Sequence, residues 1–211
     1  MTFDVKYLKY WPKLVEAIGV HIQFVFWSVL LGSVIAIVIA IGLSRQRGLA
    51  KFVLPVLSVF QTIPGIVFIG ILFIYLGMKP ITIILALAAY AILPILKNAY
   101  TGIVTVDEAL LEAGRGCGMS PWQLLFKIEL PMAMSAIISG IRMSAIYIVS
   151  WAVLAAMIGQ GGLGEFIYRG IDTNVKEYII MGAIPGSLLA ITIGFLIDKI
   201  QFWITPRGLR K

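Results

Sequence analysis

From Ile18 to Leu43 the chain carries no charged side chain. A helix that crosses a bilayer needs roughly 20 apolar residues. This run therefore fixes the environment of the chain before anything else. Four further apolar stretches follow, at about Phe52 to Gly77, Ile81 to Val104, Ala133 to Ile158 and Tyr178 to Ile197. The expectation is an all-α polytopic membrane protein of about five spans, forming one domain over residues 1–211. Composition agrees: 60% of the 211 residues are hydrophobic and 13% are charged, against roughly 45–50% and 25% in soluble domains.

The first residues, with Asp4, Lys6, Tyr7, Lys9, Tyr10, Trp11, Lys13 and Glu16, suit a short interfacial segment. They lack the basic start and cleavage site of a signal peptide. The formal net charge of +7 points to anionic lipid headgroups rather than nucleic acid. A single cysteine, Cys117, excludes an intrachain disulfide and argues against a multi-cysteine metal site. His21, the sole histidine, is expected at the membrane interface.

Orientation follows from basic residues in short loops. Arg45, Arg47 and Lys51 lie in one loop, and Lys199, Arg207, Arg210 and Lys211 mark the tail. With five spans these share a side with residues 105–131. On the opposite side Lys79 stands alone, and Arg169 and Lys176 are offset by Glu165, Asp172 and Glu177. Lys6, Lys9 and Lys13 run against this pattern. The reading is N-terminus outside and C-terminus cytoplasmic.

Asp107 to Pro131, DEALLEAGRGCGMSPWQLLFKIELP, is polar and glycine-punctuated within a chain of apolar spans. It reads as two short helices. Thr105 and Glu108 form a possible capping box for the first, whose apolar positions are Leu110, Leu111, Ala113 and Cys117. Gly116 and Gly118 stop it, since glycine accepts the left-handed conformation at a helix end. Ser120, Pro121 and Gln123 start the second helix. Leu124, Leu125, Ile128 and Leu130 give it an apolar side, and Pro131 ends or bends it. Such a knuckle is either a docking loop or an ordinary loop lying on the membrane surface.

Breaks in membrane helices are costly unless the freed backbone lines a cavity or finds partners. Gln61, Thr62, Pro64 and Gly65 therefore mark either a pathway segment or a packing kink. Pro94 and Pro185 are read as kinks. Gly32, Gly42, Ser28 and Ser33 are read as small residues for close helix packing. No charge stands near mid-span on this reading. Arg142 and Lys97 are expected to snorkel, which argues against a proton-coupled antiporter or a charge-selective channel. The run Gly159-Gln160-Gly161-Gly162-Leu163-Gly164 lacks the ending of a phosphate-binding loop. It reads as a flexible gate or re-entrant turn within a polar connection, Gly159 to Glu177. No side-chain set suits a metal, a nucleophile or an acid pair.

Glu112-Ala113-Gly114, then Gly118, then Ile128, Leu130 and Pro131 resemble the EAA signature of ABC-importer permeases, with Gly114 where alanine is usual. Gln61-Thr62-Ile63-Pro64, Leu93 to Ile103, and Leu154 to Gly164 followed by Arg169-Gly170-Ile171 are similar to the quaternary-amine branch, whose members import glycine betaine, carnitine or choline. Methionine-importer permeases share the fold and are the nearest alternative; a stand-alone channel or scaffold is a further one. The resemblance implies a type I importer fold in a prokaryotic plasma membrane. It implies a second permease, identical or related, two ATP-binding subunits and a separate extracytoplasmic binding protein. ATP and magnesium would then sit on the ATPase, with no cofactor on this chain. Glu112, Ala113, Gly114, Gly118, Ile128, Leu130 and Pro131 would couple to that ATPase, Gln61, Thr62, Pro64 and Gly65 would line the pathway, and Gly159, Gly161, Gly162 and Gly164 would form a gate.

Overall fold

The computed structural model describes residues 9–205, so the expectations for Asp4, Lys6, Tyr7, Arg207, Arg210 and Lys211 fall outside the described residues. Among the described residues the chain is helical. The α-helices are α1 (Trp11–Arg45), α2 (Arg47–Phe60), α3 (Gly65–Leu76), α4 (Pro80–Val104), α5 (Glu108–Gly116), α6 (Pro121–Leu124), α7 (Leu130–Trp151), α8 (Leu163–Asp172) and α9 (Lys176–Ile204). Four continuous helical stretches are long and apolar enough to cross a membrane: α1, α4, Pro121–Ile158 and α9. The fifth expected span is a bent pair. Helices α2 and α3 meet at 90° across the Gln61–Pro64 break.

The core is built on α4, which packs between α1 and α7. Small residues set these crossings. A β-carbon at Gly32 would stand 2.7 Å from Ala91 Cβ, and one at Gly140 would stand 3.1 Å from the Ile95 backbone. Without a hydrophobic drive between helices in lipid, such close backbone approach supplies the contact energy. Gly42 has no neighbour of this kind among the described residues. Buried hydroxyls join the same crossings. Ser28 Oγ donates to Ile84 O at 3.2 Å, and Ser144 Oγ donates to Ala91 O at 3.0 Å.

His21 is not interfacial. It is fully buried, and its Nε2 lies 2.9 Å from Val149 O, tying α1 to α7. The stretch Gly159 to Glu177 is not simply a polar connection either. It contains α8, whose Leu163, Gly164, Phe166 and Gly170 are buried. Amphipathic spacing from Leu163 onward outweighs the charges Glu165, Arg169 and Asp172, which lie on the other side.

Two ends of the bundle are distinct. At one, Lys13 pairs with Glu165 at 2.9 Å, and Tyr10 meets Tyr178 edge-on at 5.3 Å. At the other, Arg45 pairs with Glu129, and Gln201 Nε2 donates to Ser135 Oγ at 3.0 Å. The α1–α2 junction with its basic residues Arg45 and Arg47, the knuckle and the end of α9 therefore share one end, opposite the start of α1.

Candidate functional site: a capped loop and a run of cavities

Helix α5 is capped by Asp107, whose carboxylate accepts the Ala109 N–H at 3.0 Å. The expected Thr105–Glu108 box does not form, because the Thr105 hydroxyl donates back to Thr101 O at 2.8 Å. Glu108 instead pairs with Arg115 at 2.8 Å. The helix closes as a Schellman motif: Met119 N–H donates to Gly114 O at 3.1 Å and Gly118 N–H to Arg115 O at 2.9 Å. Gly118 is left-handed, with φ 78°, as that motif requires. Gly116 remains within the helix.

Ser120 and Gln123 make the expected reciprocal capping box, with Pro121 at the first position. The second helix does not end at Pro131. From Pro121 to Ile158 the chain is one continuous helical stretch, widened to a π-turn over Leu125–Glu129, with Leu130 N–H bonded to Leu125 O. Proline has no N–H to give, and its ring crowds the carbonyl four residues back. The wider turn relieves both, so Pro131 sits just past the bulge, near the start of α7, and the helix continues through it.

Motif residues Gly114 and Ile128 meet. A β-carbon on Gly114 would lie 2.8 Å from Ile128 Cδ1 and 2.6 Å from Leu124 Cδ2. Gly114 therefore stands where α5 presses closest on the second helix. Glu112 and Ala113 are exposed, as are Leu110 and Cys117 of the expected apolar side. Behind the knuckle, buried Glu129 accepts both Arg45 η-nitrogens, one at 2.8 Å. Exposed Trp122 and Phe126 stack at 6.1 Å.

At the α2–α3 break, Tyr90 satisfies the freed backbone. Its hydroxyl donates to Ile63 O at 2.6 Å, and Gln61 Nε2 donates to Tyr90 O at 3.0 Å. Trp151 stacks on Tyr90, centroids 4.7 Å apart, and its ring occupies the space a Gly65 side chain would need. Gln61, Tyr90, Tyr147, Ile148 and Trp151 line a cavity of about 230 Å³. Thr62 and Pro64 are exposed outside this lining.

Two more cavities continue along α7. One of about 460 Å³ shares Tyr147 and reaches Arg142, Asp198 and Gln201. The next, about 500 Å³, shares Ser139 and reaches Asn98, Thr105 and Asp107 at the knuckle. The lining residues Ser139, Arg142, Met143 and Tyr147 are all exposed and, with exposed Ser150 beyond them, recur at helical spacing on one face. Arg142 is paired across to α9. Its Nε bonds Asp198 at 2.8 Å. Sequence reading missed this face, although Ser135, Ser139 and Arg142 already repeat at spacings of four and three.

Gly159, Gly161 and Gly162 are left-handed, with φ of 72°, 74° and 81°. Gly162 rests on His21, 3.4 Å from its Nδ1 to an ideal β-carbon, and Gly164 packs against the Val153 carbonyl.

A polytopic helical protein, with a capped loop at one end and a polar face leading to a broken helix, is the class this geometry defines. The chain belongs to the binding-protein-dependent transport system inner membrane component family, whose model matches residues 28–209. It is 40% identical over 191 residues to the carnitine transport permease protein OpuCB of Listeria monocytogenes, covering 90% of this chain and 88% of that one. It is 38% identical over 198 residues to the glycine betaine/carnitine/choline transport system permease protein OpuCB of Bacillus subtilis, covering 94% and 91%. The MetNI methionine ABC transporter, solved in an inward-facing conformation, shares the fold with a TM-score of 0.79 at 20% identity, covering 97% of this chain and 100% of that one.

Proposed function

We propose that this chain is the permease subunit of an ATP-driven importer of quaternary-amine osmoprotectants such as glycine betaine, carnitine and choline. Similarity along nearly the whole chain to permeases bearing those names supports the substrate class. The observation that carries the coupling role is the knuckle itself: a helix capped at both ends, fixed from behind by Gly114, Ile128 and the Arg45–Glu129 pair, with Glu112 and Ala113 left exposed. A docking element needs that combination of fixed shape and free surface.

In this reading the knuckle end is cytoplasmic and the N-terminus is outside. Two permeases, identical or related, dock on two ATPase subunits through Glu112, Ala113, Gly114, Gly118, Ile128, Leu130 and Pro131. An extracytoplasmic binding protein delivers solute. ATP and magnesium belong to the ATPase, and this chain supplies the route. Gln61 and Gly65 act at the head of that route, Thr62 and Pro64 shape the break, and Gly159, Gly161, Gly162 and Gly164 form the outer gate. The test is uptake of radiolabelled glycine betaine, carnitine, choline and methionine by the reconstituted complex at high osmolarity. Import of methionine alone would overturn the substrate class, and a permease that retains no ATPase on purification would overturn the coupling.

A further inference from the structure

The cavity between α7 and α9 holds an ion pair, Arg142 with Asp198. Arg142 and Asp198 are each about half exposed, with side-chain exposures of 45% and 48%. Ionisable groups in spans face a protein interior or a water-filled space, so this face of α7 lines a wet route rather than lipid. Only Nε of Arg142 is engaged by Asp198 among the described contacts. The η N–H donors of an arginine form a fork that suits a carboxylate. About 7.5 Å further along the helix, at 1.5 Å per residue, Tyr147 joins this cavity to the one holding Trp151 and Tyr90. Aromatic faces attract quaternary ammonium groups. One end of the paired cavities therefore holds a guanidinium balanced by the Asp198 carboxylate and the other is aromatic, with no second cation among the lining residues.

We propose that these cavities form a transit site for a zwitterionic quaternary amine, with Arg142 receiving the carboxylate and Tyr147 and Trp151 the trimethylammonium group. The inference rests on the function proposed above and narrows it: glycine betaine and carnitine fit both ends, while choline, which lacks the carboxylate, meets an arginine with nothing to offer it. Asp198 holds Arg142 in place between passages and gives way to the substrate carboxylate. Selectivity thus resides in the permease as well as in the binding protein.

The experiment compares uptake of glycine betaine and choline by the reconstituted complex with its binding protein. Wild type, Arg142→Gln, Arg142→Lys and Tyr147→Leu are measured, with permease dimerisation checked by size-exclusion chromatography. Arg142→Gln should lower the betaine-to-choline ratio at least tenfold, Arg142→Lys less, and Tyr147→Leu should reduce uptake of both. If wild type excludes choline, betaine imported per ATP hydrolysed is read instead, with the same tenfold fall expected. An unchanged ratio, a variant that fails to dimerise while the ratio holds, or a wild type that imports choline but no zwitterion would overturn the site and leave the importer assignment standing. Uptake of neither compound by wild type would overturn the substrate class itself, and the site with it.

Discussion

Trp151 stands against Gly65. The indole fills the space in which any side chain at position 65 would lie, and it stacks at the same time on Tyr90. Gly65 is buried and begins α3, just past the break. Trp151 is the last α-helical residue before the 3-10 stretch Ala152–Ile158. A change to 3-10 geometry within a helix often marks a hinge, so two irregular points of the backbone are held together by one ring.

Gly65→Val should therefore force Trp151 out, at a cost of about 1–3 kcal/mol, the usual range for overpacking. Solute uptake should fall while membrane insertion persists. Trp151→Leu should partly relieve the Gly65→Val defect. The check is a double-mutant cycle on the thermal midpoint of the purified complex, where a coupling below about 0.5 kcal/mol would count as independence and exclude the contact.

The Arg45–Glu129 pair joins the end of α1 to the π-turn behind the knuckle. Arg45→Ala leaves a buried carboxylate without its partner, which typically costs about 2–5 kcal/mol; the half-exposed arginine places the expectation toward the lower figure. Arg47→Ala, which breaks no ion pair among the described residues, should cost less than about 0.5 kcal/mol. Denaturation midpoints in detergent compare the two, and equal losses would mean that Glu129 is satisfied by water.

Glu112 and Gly118 fail differently. Gly118→Val places a β-branched residue in a left-handed position, where a chiral side chain costs at least about 1–2 kcal/mol, and redirects the second helix. Glu112→Ala removes an exposed group and should leave the fold intact. Both should insert normally, and both should retain less ATPase on purification. Normal uptake and full ATPase retention in both variants would remove the docking role.

Cys117 is exposed on the knuckle and gives a natural topology probe. Impermeant thiol reagents should label it only in inside-out vesicles. An Asp172→Cys variant lacking Cys117 should label from the outside of intact cells. Labelling of both from outside would reverse the proposed orientation.

What the sequence determined by itself was everything governed by composition and short-range order. Uninterrupted apolar runs specify spans because lipid leaves the backbone no other partner. Ser120, Pro121 and Gln123 cap a helix, and Gly118 ends one, through bonds that close within a few residues. The glycine-punctuated motif was legible for the same reason. Tertiary structure decided the rest. Pro131 reads as an end or a bend, and which of the two was decided by the π-turn just before it, which absorbs the clash and lets the helix continue. His21 reads as interfacial but is buried, because Val149 of α7 supplies a carbonyl to it. Trp151 meets Gly65, and Arg142 meets Asp198, across spans far apart in the chain. No local pattern encodes such pairs: a polar repeat such as Ser135, Ser139 and Arg142 can mark a face, but which residue of another span meets it is settled only when the helices pack.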